Sequence, residues 1–149
     1  MSQELQFGFA EPGTAYTPRP AAFGVVEREG RIACVRVTQQ AASWTDLPGG
    51  AVDPWESEAE ALVREFREET GLAVEPGDVF ARAAQRFRKS DGQPVNNLGA
   101  FFTARAVAYD PAAKVEDDHE LVWLEPAEAL KALRHDAHAW AVTAWLRRD

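Results

Sequence analysis

The sequence predicts an α/β protein in which a mixed β-sheet lies between helices. Apolar, β-branched runs typical of strands recur at residues 21–27, 31–38 and 98–108. A strongly acidic amphipathic helix interrupts them at residues 57–71, and two further helical patterns follow residue 125. Because sheets and helices bury their apolar faces against each other, this mixture predicts helices packed on both faces of the sheet.

Length and composition indicate one folded domain. The chain has 149 residues, of which 46% are hydrophobic, and this suffices for one core. Prolines and a glycine break residues 1–20, which predicts an extended arm without regular structure before a domain at residues 21–149. Three aromatic residues can dock this arm on the domain or on a second subunit, so a homodimer is possible: Phe7, Phe9 and Tyr16.

Charge and hydropathy limit the classes of molecule that this protein is expected to bind. The formal net charge is -8 and no stripe of Lys or Arg is present, which argues against a nucleic acid polymer. Small phosphate compounds stay compatible, because a bound metal inverts the local sign of an acidic site. The first residues lack a signal-peptide pattern and no long apolar run occurs, so we expect a cytoplasmic protein without membrane contact. The single cysteine, Cys34, fits a small buried hydrophobic residue.

The remaining pattern divides into strands and helices in chain order. Residues 21–27 and 31–38 form a predicted hairpin, and Asp91-Gly92 indicates the turn of a longer one. The two strands of this longer hairpin are predicted at residues 79–88 and 98–108. Before them come a short strand at residues 72–75 and a turn at residues 76–78. After them come a strand at residues 121–124 and two closing helices at residues 126–133 and 137–147.

The most informative stretch extends from Gly50 to Leu72. Ser57 followed by Glu60 is a capping box that starts a helix, and Gly71 ends it. Within this helix, apolar residues at helical spacing form one stripe that can pack on a core: Ala59, Leu62, Val63 and Phe66.

Three carboxylates share one face of this helix. Glu65, Glu68 and Glu69 stand at positions i, i+3 and i+4, so their charges repel one another. A divalent cation relieves that repulsion, and hard oxygen ligands suit Mg²⁺ or Mn²⁺. The alternative is a solvated acidic face without a ligand, which is the common meaning of a charge run.

The spacing of the stretch resembles the Nudix box at every fixed position. The matching residues are Gly50, then Glu56 after five residues, Arg64-Glu65-Phe66 after seven, Glu68-Glu69 after one, and Gly71-Leu72 after one more. The preceding Trp44 and Leu47-Pro48-Gly49-Gly50 are also similar to that family. The resemblance implies a MutT-like Nudix hydrolase with an α/β/α sandwich fold, which cleaves a nucleoside diphosphate linked to a group X with the help of a metal.

The resemblance also implies roles for individual residues. Glu65, Glu68 and Glu69 hold the metal together with the backbone carbonyl of Gly49. Glu56 and Arg64 form a supporting ion pair beside the turn at Gly50. Either Glu65 or Glu120 takes the proton of the attacking water, and Glu120 is chosen because it stands three places before Trp123.

Three further residues are candidates for substrate contact. Arg36 either faces the substrate phosphates or forms an ion pair at the sheet edge. Trp44 either stacks on a base or closes the core. Trp55 stands where the family usually has glycine, and we expect this bulky side chain to line the pocket. His119 fits a surface or hydrogen-bonded histidine better than a ligand of Mg²⁺.

The substrate class follows by default. Motifs typical of Nudix enzymes for coenzyme A, NADH, dinucleoside polyphosphates and ADP-ribose are absent from their usual spacings. A nucleoside triphosphate or an oxidised nucleotide is therefore the expected substrate. ADP-ribose or a sugar nucleotide, and a domain that binds nucleotides without turnover, stay as alternatives.

Overall fold

A computed structural model describes residues 5–148, which form a mixed sheet with helices on both faces. The predicted α/β/α class is confirmed. The elements are β1 (Leu5–Phe7), β2 (Thr17–Arg28), β3 (Arg31–Gln39), β4 (Ala42–Asp46), β5 (Gly49–Ala51), α1 (Glu58–Thr70), β6 (Leu72–Arg88), β7 (Pro94–Tyr109), a 3-10 turn (Pro111–Ala113), β8 (His119–Leu124), α2 (Pro126–Ala132) and α3 (Asp136–Leu146).

The sheet has the strand order β1-β6-β7-β2-β3-β4, with β5 beside β2 and β8 beside β3. Its centre is the parallel pair of β2 and β7, which runs from Thr17 opposite Val95 to Val26 opposite Ala104. The predicted hairpin between β2 and β3 is present, but only two residue pairs close it before the strands separate. The strand β2 therefore joins two halves of the sheet.

Alternate residues of β2 face opposite layers, as the pleat of a strand requires. Ala21, Phe23 and Val25 belong to the buried cluster that includes the side chains of α2 and α3. Ala22 and Val26 belong to the second cluster, which includes three residues of the predicted stripe of α1, namely Ala59, Leu62 and Phe66. The fourth, Val63, is exposed, so its place in the predicted stripe is wrong. One core thus lies on each side of the sheet, and the acidic face of α1 takes no part in either core.

Residues 1–4 of the predicted arm lie outside the described part of the chain, and the expectation that residues 5–20 lack regular structure is wrong in two places. Leu5–Phe7 pairs in parallel with Ala83–Gln85 of β6, and Thr17–Pro20 already belongs to β2. Phe7 contacts Trp140 of the same chain at 6.1 Å between ring centroids, so this part of the arm docks on its own domain. Phe9 is 81% exposed.

The turn predicted at residues 76–78 does not reverse the chain. It is an irregularity in the register of one continuous strand, β6, which pairs with β7 on both sides of it. The hairpin around Asp91-Gly92, the strand before residue 125 and the two closing helices are confirmed. Cys34 is fully buried, and burial raises the pKa of its thiol to about 12. Within residues 5–148, no helix has the length and apolar content needed to cross a membrane.

Candidate active site

The helix α1 begins and ends where its sequence predicts. Ser57 Oγ accepts a hydrogen bond from the Glu60 backbone N–H at 3.1 Å, and the Glu60 carboxylate accepts one from the Ser57 N–H at 2.8 Å. These two bonds form the capping box, and Gly71 ends the helix. The helix start is thereby held relative to the loop that precedes it.

Arg64 connects that loop to the acidic face of α1. Its Nε and Nη2 donate to both carboxylate oxygens of Glu56 at 2.6 and 2.8 Å, so the predicted ion pair is present. Nη2 also donates to the Ala51 carbonyl at 3.0 Å, while Nη1 reaches Glu65 at 2.9 Å and Glu68 at 3.3 Å. The hydrogen bonds from Arg64 lower the pKa of Glu56 to about 2. Arg64 thus holds two of the box carboxylates beside the loop.

Glu69 is the most buried of the three box carboxylates. Its Oε1 accepts a hydrogen bond from the Gly49 N–H at 3.0 Å, and its Oε2 lies 3.3 Å from His119 Nε2. The other ring nitrogen of His119 lies 2.8 Å from Asp118 Oδ1. Burial raises the pKa of Glu69 to about 7. Burial alone would lower the pKa of His119, but Glu69 and Asp118 raise it to about 9, so these two carboxyl groups favour the charged form of the imidazole.

Two glycines let the backbone approach these carboxylates. Gly49 has a φ of +144°, and a Cβ there would lie 2.1 Å from the Ala22 carbonyl oxygen. A Cβ on Gly50 would lie 2.8 Å from the carboxyl carbon of Glu65. A larger residue at position 49 would therefore push β5 away from β2, and one at position 50 would displace the Glu65 carboxylate or the β5 backbone beside it.

Acidic groups from α1 and from the segment before β8 approach one another here. Among residues 5–148, a group that could hold a metal ion consists of Glu116, Asp118 and His119, whose ligand atoms lie within 4.8 Å of one another, and the charge of Glu116 acts on Glu65. Burial raises the pKa of Glu65, and the nearby Glu68 and Glu116 charges act in the same direction, so negative charge is concentrated here. Such a cluster of oxygen donors is the kind that Mg²⁺ and Mn²⁺ prefer. Residues 115 and 116 approach the same helix, because both of their N–H groups donate to the Glu68 carbonyl, at 2.9 and 3.1 Å.

A cavity of about 280 Å³ opens beside these glycines. Small-molecule sites usually start at roughly 300 Å³, so its size suits part of a nucleotide. Trp44 and Phe87 line it, and the Arg134 guanidinium lies 4.7 and 5.5 Å from their ring centroids. Arg19 and Lys89 add positive charge to the wall. The cavity thus combines aromatic surface, cationic groups and the two glycines that lie against the box carboxylates.

The remaining predicted substrate contacts have different outcomes. Trp44 lines the cavity, a position that stacking on a base requires. Arg36 and Glu120 pair with each other at 3.6 Å across β3 and β8, and both side chains are largely exposed. Trp55 is 81% exposed and is not among the residues that line the cavity, so the expectation that it lines the pocket is wrong. Its side chain is accommodated by pointing into solvent.

Several residues of this region could not be assigned to the site from the sequence alone. Arg19 donates to Asn97 at 2.8 Å, and the two lie 78 positions apart, so no local spacing connects them. Glu116 was one of several acids in a row, and nothing distinguished it from its neighbours. Arg134 and His135 stand between the two predicted helices, and His138 stands at the start of the second, so this cluster of polar residues is the available signal for a polar wall.

Comparison with known proteins identifies the family. The NUDIX domain model matches residues 17–146, which is most of the chain. The chain belongs to the Nudix family. This Nudix protein is 32% identical over 110 residues to a CTP pyrophosphohydrolase of Escherichia coli K12, covering 72% of its own length and 76% of the relative. It is 30% identical over 120 residues to an RNA pyrophosphohydrolase of Erythrobacter litoralis, covering 70% and 73%.

Solved Nudix structures agree in fold. A MutT Nudix hydrolase from Burkholderia pseudomallei superposes with a TM-score of 0.64 at 28% identity, over 86% of this chain and 98% of the other. A Nudix hydrolase from Nitrosomonas europaea gives a TM-score of 0.74 at 21% identity, over 87% and 89%. The resemblance to MutT-like Nudix hydrolases is thus confirmed, and the protein is a hydrolase that acts on phosphoric anhydride bonds.

Proposed function

We propose that this Nudix protein hydrolyses nucleoside triphosphates or their oxidised forms, with Mg²⁺ or Mn²⁺ as the cofactor. The observation that carries the proposal is the position of the cavity, which has aromatic and cationic walls and adjoins Gly49 and Gly50 beside the box carboxylates. Such a site receives a base and a phosphate chain together. The name of the relative that is 32% identical, a CTP pyrophosphohydrolase, supports the same substrate class.

Glu65, Glu68 and Glu69 would hold the cation, with the Gly49 carbonyl as a further ligand. When bound, the cation offsets charge on the phosphate oxygens and makes a water molecule easier to deprotonate. Arg64 has a separate role, because its contacts hold the carboxylates of Glu65 and Glu68 in position, and they lower the pKa of Glu65 against the effect of burial. Gly50 allows the loop to lie against Glu65.

The reaction consumes one water molecule. Its oxygen bonds to phosphorus, the bond to the leaving phosphate oxygen breaks, and a carboxylate takes the proton. Glu65 and Glu120 are the bases predicted from the family resemblance. Glu116 is favoured over Glu120 as the additional carboxylate, because its charge acts on Glu65 while Glu120 pairs with Arg36. The products are a nucleoside monophosphate and pyrophosphate.

The test measures phosphate and pyrophosphate release with Mg²⁺ and with Mn²⁺. The panel contains nucleoside triphosphates, oxidised nucleotides, ADP-ribose, sugar nucleotides, dinucleoside polyphosphates and 5′-triphosphate RNA. Glu68→Gln should lower kcat/KM by about 100-fold or more, since a ligand carboxylate is lost. Glu75→Gln is the matched control, because Glu75 forms an exposed pair with Arg105 and should leave activity unchanged.

The class of substrate that is cleaved in this panel distinguishes the candidate functions. Preferential cleavage of nucleoside triphosphates or oxidised nucleotides supports the proposal, and preference for ADP-ribose or a sugar nucleotide replaces the substrate class. A nucleotide that raises Tm without being cleaved would show a binding domain instead. Preference for triphosphate RNA would overturn the expectation against nucleic acid. The cytoplasmic location and the possible homodimer stay predictions.

A further inference from the structure

His135 contributes to the cavity wall without a stabilising hydrogen bond at one ring nitrogen. The residue is 6% exposed, and its ring packs against Phe87 and His138 at 4.6 and 5.3 Å between centroids. Among the residues described, 5–148, His135 Nε2 has no hydrogen-bond partner and is shielded from solvent. A buried polar atom in this state costs free energy, so its retention calls for a ligand that satisfies it.

The helix that follows does not need this imidazole. His135 is the N-cap of α3, a position where Ser, Thr, Asp or Asn side chains usually accept a backbone hydrogen bond, but its ring accepts none. Gln85 instead accepts from the Ala137 N–H at 3.0 Å. A histidine is therefore not required here for capping.

His138 provides the contrast, since it lies in the same wall and its Nδ1 has a hydrogen-bond partner. Its Nδ1 accepts a hydrogen bond from the Leu47 N–H at 3.2 Å. Burial lowers the pKa of both histidines to about 3, so both rings are neutral at pH 7. A neutral imidazole offers one donor and one acceptor, which suits the edge of a heteroaromatic base better than a phosphate.

We infer that His135 selects the nucleobase, by a hydrogen bond from its Nε2 edge to a base held beside Trp44 and Phe87. The inference rests on the proposed function and adds the residue that reads the base. The two aromatic rings supply stacking surface, which every base can use, so discrimination needs a polar group such as this one. Because neighbours shield Nε2, the contact requires the imidazole or the Phe87 ring to turn toward the cavity.

The kinetic test compares ATP, GTP, CTP and UTP for wild type, His135→Leu and His135→Gln. The Leu variant should raise KM for the preferred nucleotide by about 3- to 10-fold with kcat unchanged, since one neutral hydrogen bond is lost. Its preference among the four bases should shrink, and Gln, which keeps a polar group at similar reach, should restore part of it. The inhibition constant of ribose 5-triphosphate, which has no base, should not change.

A second readout does not depend on turnover. Without nucleotide, His135→Leu should leave Tm unchanged or raise it, because an unpaired polar atom is removed. The matched variant His138→Leu leaves the Leu47 N–H unpaired and should lower Tm by about 3 to 9 °C. With α,β-methylene CTP and Mg²⁺, the rise in Tm should be smaller for His135→Leu than for wild type.

Two results would overturn the inference. One is a base preference that His135→Leu leaves intact, and the other is a fall in Tm for that variant equal to the fall for His138→Leu, which marks a structural histidine. If instead no nucleotide is cleaved by wild type and none raises its Tm, the proposed function itself fails. The Glu68→Gln comparison distinguishes that case, because it does not involve His135.

Discussion

A single guanidinium, that of Arg64, joins the loop to the acidic face of α1. It contacts Glu56 with two hydrogen bonds and reaches Glu65 and Glu68 with a third nitrogen. Such a planar fork keeps its charge at any working pH and binds carboxylates in pairs, whereas a lysine ammonium is a point charge. The positions of two box carboxylates therefore depend on one residue that contacts the loop as well.

Gly50 offers a test of how closely the loop must approach Glu65. In Gly50→Ala the new Cβ meets the Glu65 carboxylate, so that side chain must move. We expect kcat to fall by at least about 10-fold, because a displacement of this size at a catalytic group is costly. Steady-state kinetics and thermal unfolding together measure the effect.

Gly77→Ala is the matched control for that substitution. Its Cβ would lie 2.5 Å from Thr103 Oγ1, on strands outside the cavity wall. It should lower Tm while kcat stays at the wild-type value. Equal losses of kcat in both variants would contradict the importance of the Gly50 contact.

The Glu56 carboxylate predicts a feature of acid unfolding. Arg64 lowers its pKa from 4.5 to about 2 in the folded protein, so the folded state favours the charged form. The stability it contributes is present above pH 4.5 and is lost as pH falls toward 2. Urea unfolding at several pH values should show that the free energy of unfolding falls less steeply over that interval for Glu56→Gln than for wild type. An identical loss in both proteins would show that this ion pair does not act on stability.

Residues of the site differ in how far the sequence predicts them. Glu56, Arg64 and the three helical carboxylates stand within one loop and helix, where fixed spacing determines which side chains meet. Glu116 and His135 reach the site only through tertiary packing, one by hydrogen bonds of its segment to Glu68 and the other by following α2. Local spacing in the sequence carries no information on contacts between residues so far apart in the chain.

At the scale of elements, β1 is a short strand held by pairing with β6 and by an aromatic contact with α3. Phe7 packs on Trp140 of α3, and β1 pairs in parallel with β6. We expect Phe7→Ala to lower the free energy of unfolding by about 1 to 3 kcal/mol, less than a fully buried phenylalanine, because Phe7 is only partly buried. Urea unfolding measures this change.

Phe9 supplies the control two positions later. It is 81% exposed, so Phe9→Ala should change the free energy of unfolding by no more than about 0.5 kcal/mol. Equal effects of the two substitutions would contradict the docking of β1 on its own domain.

Most elements are predictable because their signals are local, and two failures show the limit. Pro76 and Gly77 usually mark a chain reversal, but β6 continues through them because β7 pairs with it on both sides. The prolines at 18 and 20 suggested an arm, yet a proline is tolerated in a strand wherever its missing N–H is not needed. Tertiary pairing overrides the local preference in both cases.

The whole molecule carries two buried histidines, and this predicts its stability in mild acid. Their pKa values of about 3 lie below the 6.5 of an exposed histidine, so the unfolded chain binds more protons between these values. Stability is therefore present above pH 6.5 and declines as pH falls toward 3. Each histidine contributes a slope that approaches about 1.4 kcal/mol per pH unit.

The difference between wild type and His135→Leu isolates one of these slopes. The raised pKa of Glu69 acts in the opposite sense, but it is common to both proteins and cancels in the comparison. Between pH 4 and 6, the free energy of unfolding should fall more steeply for wild type by up to about 1.4 kcal/mol per pH unit. Parallel curves would mean that His135 is not buried in its neutral form.

The pairing of β1 with β6 has a consequence for biosynthesis. Leu5 pairs with Ala83, which lies 78 positions later, so β1 has no partner while the intervening chain is being made. At about 5 to 20 residues per second, the ribosome needs roughly 4 to 16 s to supply the partner. Of the eight strands described, β1 is therefore synthesised first and is among the last to pair, so chains released before β6 is complete leave Leu5–Phe7 without its partner strand.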